Sequence, residues 1–169
     1  MKKFILTIVS LILTISSIEC GSCFAISQSK SYSVPGGQLI SDAWRSTFCA
    51  VSGNTLQWDY QVSAKYNGNK RVKRIRTSFK GSASLRNSAS MNIGVSETGA
   101  SAGGGSSWQS VFTTEKYWEN TNGQKTSSYR SNMVVAPKKD YRNDTISIIN
   151  RATVEIEGDK RCYEITASV

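Results

Sequence analysis

The 169-residue chain carries 21 Lys plus Arg against 12 Asp plus Glu, a formal net charge of +9, and no histidine. The missing imidazole excludes Ser-His and Cys-His nucleophiles and histidine zinc sites. With 38 % hydrophobic residues and two prolines, the composition is that of one globular domain rather than a disordered chain.

Lys2 and Lys3, the apolar run Phe4 to Ile18 and a short polar stretch ending at Ala25 follow the order of a secretory signal. The run of 15 is too short for a comfortable membrane span. Residues 1–25 are therefore read as a signal peptide and 26–169 as the single domain of a secreted, extracellular protein. A lipoprotein signal acylated at Cys20 or Cys23 fits less well, because Glu19 precedes Cys20 and Cys20 stands where an aliphatic residue is expected before Cys23.

Ile26 to Val34 is polar and Ser-rich, a loose leader or an edge strand, and Leu39 to Phe48 has room for a short turn or helix. From Leu56 to Tyr66 the even positions Leu56, Trp58, Tyr60, Val62, Ala64 and Tyr66 are apolar and the odd ones polar, the period of a half-buried strand. Asn67-Gly68-Asn69 then predicts a hairpin turn, with Lys70 to Lys80 as the partner strand. Ser82 to Ser96 alternates again, Ala83, Leu85, Ala89, Met91, Ile93 and Val95 against Ser and Arg, with Asn87 alone out of pattern. A Gly- and Ser-rich loop over Gly99 to Ser107 leads to a less regular aromatic segment, Trp108 to Trp118.

Further strands are predicted at Thr126 to Ala136, Thr145 to Glu157 and Arg161 to Val169, with Ile146, Ile148, Ala152, Val154 and Ile156 sharing one face. About six to eight antiparallel strands in one domain give an all-β fold, an antiparallel β-sandwich, with a small closed β-barrel as the alternative. Cys49 and Cys162 are the even pair left beyond the signal, and an oxidising compartment predicts one structural disulfide between them.

The charge is segregated. Between Tyr60 and Ser96 there is no acidic residue but eight basic ones, Lys65, Lys70, Arg71, Lys73, Arg74, Arg76, Lys80 and Arg86. Ile75 and Phe79 must face the core, so Arg74, Arg76 and Lys80 project outward as a basic stripe, spaced about 7 Å for residues two apart. The candidate anion-binding residues are Lys70, Arg71, Lys73, Arg74, Arg76, Lys80 and Arg86, and the expected partner is an anionic envelope component: phospholipid, teichoic acid or an acidic polysaccharide. Nucleic acid is disfavoured, since stacking aromatics do not interleave with these cations. The bland alternative is that charge protects an edge strand and keeps the protein soluble.

Two other classes compete. Ser82 to Ser96 has the alternation and length of a bilayer-crossing β-strand, which suits a membrane-active, pore-forming or bacteriocin-like toxin. A carboxylate-dependent hydrolase could draw on Asp42, Asp59, Glu97, Glu115, Glu119 and Glu164, but none stands in a context that marks a buried or paired acid. Glu155, Glu157 and Asp159 at period two resemble a cation site, and the solvated reading of them is preferred. The reading is non-enzymatic, with no catalytic residue, metal or cofactor assigned. Trp58 and Tyr60 fall on the core face, whereas Trp108 and Trp118 beside polar loops are the candidates for ligand contact. Asn143-Asp144-Thr145 matches an N-glycosylation acceptor.

Overall fold

The computed structural model describes residues 25–94, 99–140 and 145–169. Residues 1–24 of the signal predicted over 1–25, the positions Val95, Ser96 and Glu97, and Asn143-Asp144 of the glycosylation acceptor lie outside the described residues. The described residues form twelve strands: β1 (Ala25–Val34), β2 (Gly37–Ser46), β3 (Ala50–Ser52), β4 (Thr55–Gly68), β5 (Val72–Leu85), β6 (Ser90–Asn92), β7 (Ala100–Ser101), β8 (Gln109–Phe112), β9 (Lys116–Asn120), β10 (Thr126–Ala136), β11 (Ser147–Ile156) and β12 (Cys162–Ser168). They make two antiparallel sheets. One runs β1-β2-β4-β10-β6-β7 with β3 also on β4, the other β12-β11-β5-β8 with β9 also on β5. The architecture is the all-β sandwich that period-two alternation predicts, with more strands than expected because short pieces lie end to end along β4 and β5.

The core follows the alternation. Trp58, Tyr60, Val62, Ala64 and Tyr66 of β4 face Ile75, Phe79, Ala83 and Leu85 of β5, and all are buried. Tyr60 donates its hydroxyl to the Ile93 carbonyl at 2.8 Å, and burial pushes its ionisation well above the usual tyrosine range. Asn150 of β11 is also fully buried and joins the sheets: its Nδ2 reaches Ser41 Oγ at 3.0 Å, the Asp42 carbonyl at 2.9 Å and the Ser63 carbonyl at 2.8 Å, while Thr77 donates to its Oδ1 at 2.5 Å.

Four sequence expectations are corrected. Leu39 to Phe48 holds no helix; β2 covers it as far as Ser46, and β1 pairs along the full length of β2 through a turn at Pro35-Gly36, where Gly36 has φ +79°. β4 and β5 are not hairpin partners, because β4 bonds to β2 and β10 in one sheet and β5 to β11, β8 and β9 in the other. Gly68 is there for space and not for a left-handed turn, since a Cβ would stand 2.2 Å from the Tyr66 ring. The chain crosses between sheets at residues 69–71.

Ser82 to Ser96 is likewise not one strand. β5 ends at Leu85, Asn87 and Ser88 take positive φ of 56° and 60°, and β6 begins in the opposite sheet. Asn87, the one residue off the alternation, marks the break. Finally, Cys49 and Cys162 are free thiols rather than a disulfide. Cys49 adjoins β3 beside Gln57, and Cys162 lies opposite Glu155, which faces Arg74 near the crossing turn. At about 3.3 Å per residue the two sit on the order of 30 Å apart along the strands, against a limit of about 7 Å between bridged Cα atoms.

Candidate anion-binding surfaces

β5 is not at an edge. It runs through its sheet between β11 on one side and β8 and β9 on the other, so acids from distant parts of the chain stand beside its cations. Arg74, Arg76 and Lys80 do point outward, as the alternation requires. But Arg74 ion-pairs with Glu155 and lies 3.9 Å from Glu119, and Arg76 holds Glu119 through Nε at 2.8 Å and Nη2 at 2.6 Å. A bulge between Glu155 and Ile156 leaves Lys73 as an extra residue, 3.7 Å from Glu155, and Arg71 lies 3.3 Å from Glu157. Arg151 adds pairs to Glu115 and Glu164 on the same face. The outer face of this sheet is a lattice of alternating sign, not a cationic ribbon.

The seven candidate residues therefore divide. Arg71, Lys73, Arg74 and Arg76 are engaged by carboxylates, while Lys70, Lys80 and Arg86 have no ion pair among the described residues. The sequence could not show this, because Glu119, Glu155 and Glu157 lie 43 to 86 positions away from their partners. Glu155 and Glu157 face arginine or lysine rather than one another. Asp159 accepts hydrogen bonds from the Tyr163 hydroxyl at 2.6 Å and from Arg161, which hold its carboxyl well below the usual range.

A different cationic surface emerges where the turns meet. Tyr66, buried in the core, donates its hydroxyl to the Pro35 carbonyl at 2.7 Å and accepts the Lys70 N–H at 3.3 Å. Asn69 N–H reaches the Gly36 carbonyl, Glu157 N–H the Arg71 carbonyl, and Lys125 Nζ the Gly68 carbonyl at 2.6 Å. These contacts draw the β1–β2, β4–β5, β9–β10 and β11–β12 turns into one pole of the sandwich. It carries Lys65, Lys70, Arg71, Lys73, Lys125, Lys160 and Arg161 against Glu155, Glu157 and Asp159, seven cations to three carboxylates, hence +4. Lys70 and Arg161 line one open cleft there together with the carboxylates Glu157 and Asp159 and with Pro35, Ile156 and Gly158, so the cleft itself is balanced and the excess charge lies around it. Lys125, Lys160 and Arg161 were missed because their clustering depends on which turns share an end, and no local pattern encodes that.

Trp108 and Trp118 do not converge. Trp118 lies opposite Thr77, on the inward parity of β9, while Trp108 precedes β8 beside Arg86, roughly 30 Å along β5 from Thr77. Among the described residues no group of three potential metal-ligating side chains forms, and no helix is long and apolar enough to cross a membrane.

The chain matches no family model and no curated protein. Among solved structures it is similar to the yeast GGA1 GAE domain–P21 structure, at 12 % identity over 84 % of this chain and 98 % of that one with a TM-score of 0.29. It is similar also to a structure titled pore forming protein, at 9 % identity over 85 % of this chain and 90 % of that one with a TM-score of 0.34. Superpositions this loose carry no argument about function.

Proposed function

We propose that the protein is a secreted, non-enzymatic β-sandwich that binds an anionic surface or polymer of a cell envelope through its turn pole. The observation in support is the excess of seven cations over three carboxylates at one end, contributed by both sheets. Lys65, Lys70, Lys125 and Lys160 have no ion pair among the described residues and are exposed. Lysine ammonium groups are hydrated point charges on flexible stems, which suit a diffuse array of phosphates or carboxylates better than one bidentate ligand. Phospholipid headgroups, teichoic acid and acidic polysaccharide all present such arrays. Base-stacking aromatics do not interleave with these lysines, which argues against nucleic acid.

Retention on immobilised polyphosphate tests the reading. Binding should weaken steeply between low and high salt, since exposed charges are screened beyond about 8 to 10 Å. Retention indifferent to salt overturns it.

A further inference from the structure

β8 and β9 lie end to end along one side of β5 and form an edge of their sheet. Eleven residues of this edge carry four large exposed rings: Trp108 at 44 %, Phe112 at 55 %, Tyr117 at 58 % and Trp118 at 53 % accessibility. Three of them are matched to the outward cations of β5. Arg76 lies over the Tyr117 ring at 4.3 Å, Lys80 over Phe112 at 5.2 Å and Arg86 over Trp108 at 5.0 Å. Phe112 stands opposite Ser82 and Tyr117 opposite Ser78, so the row follows β5 for roughly 25 Å.

The charge on this edge is of one sign where it is free. Glu115 and Glu119 are held by Arg151 and Arg76, while Lys80, Arg86 and Lys116 have no ion pair among the described residues. Exposed Trp, Tyr and Phe beside unpaired Lys and Arg is the chemistry of the bilayer interface, where rings settle at headgroup level and the cations meet lipid phosphate. A soluble polyanion would use the cations and leave the rings in water.

We propose that the β8–β9 edge docks on an anionic phospholipid bilayer, with Trp108, Phe112 and Tyr117 entering the headgroup region and Lys80, Arg86 and Lys116 facing phosphate. The inference rests on the anionic-surface reading and selects phospholipid as its source.

The test is co-sedimentation of the protein with vesicles of phosphatidylcholine alone or with one quarter phosphatidylglycerol, beside retention on immobilised polyphosphate. Wild type should prefer the anionic vesicles. The variant W108S/F112S/Y117S should bind them about tenfold or more weakly, keep its polyphosphate retention, and melt as wild type does, since all three rings are exposed. K80S/R86S supplies a second variant and should narrow the preference for phosphatidylglycerol while the turn pole is intact. Unaltered vesicle binding in W108S/F112S/Y117S, or wild-type binding to polyphosphate but not to vesicles, overturns the edge while the pole reading stands. Failure to bind either overturns both.

Discussion

Asn150 sits on the inward face of β11 between Ile148 and Ala152, in a position where every alternate neighbour is apolar. Its carboxamide holds Ser41, Thr77 and two carbonyls of β2 and β4, so its removal would strand several buried polar groups at once. Each group left unsatisfied costs about 1 to 3 kcal/mol. Asn150→Ala should therefore lower the unfolding free energy by at least about 2 kcal/mol in a urea titration, and a change within error would show that the clamp does not tie the sheets. At Asp159 the hydroxyl of Tyr163 is the leading cause of the lowered carboxyl pKa, followed by Arg161. A depressed carboxylate contributes stability that is fully present above its unfolded value near 3.8 and is lost as pH falls through the folded one. In Tyr163→Phe the Asp159 carboxyl, followed by NMR, should titrate closer to 3.8 than in wild type.

At the scale of elements, β5 joins its neighbours through crossed charge. Arg76 and Glu119 are each about 28 to 29 % accessible and share two hydrogen bonds between β5 and β9. A double-mutant cycle on this pair should give a coupling of about 0.5 to 1 kcal/mol at low ionic strength that shrinks in high salt. A coupling of zero at low salt would mean the pair is not formed in solution. The outward direction of Arg74, Arg76 and Lys80 was legible in the sequence, because Ile75 and Phe79 fix the parity of the strand. Its neighbours were not: β5 pairs with β11, β8 and β9 instead of β4, and the Asn-Gly signal does not reveal that the chain crosses to the other sheet after Gly68, where the Tyr66 ring leaves no room for a Cβ. That single misplacement converted a balanced face into an apparent cationic stripe. Asn87, out of pattern in the alternation from Ser82, marked the sheet switch, whereas the clamp of Asn150 on Ser41 and Thr77 was not legible, because it joins residues from distant strands.

For the molecule as a whole, the strand registers place the two thiols far apart, so neither staples the sandwich. With residues 26–169 as the sample, both should react with a disulfide reagent without prior reduction. Cys162 should react more slowly than Cys49, because burial, ahead of the nearby Glu155 charge, pushes the Cys162 thiol up. A chain with no titratable thiol would require a different register. Net charge is the other whole-molecule property, and it offers a rival account of any polyanion binding, since a protein at +9 is attracted to a polyanion from every side.

An equal-charge comparison separates the two accounts most directly. K65S/K70S/K125S and R74S/R76S/R151S each remove three positive charges, the first from the turn pole and the second from the paired face. The salt concentration that elutes each from immobilised polyphosphate should fall sharply for the pole variant and stay near wild type for the face variant. Equal falls for both would contradict a localised site and leave only a basic β-sandwich held by its net charge.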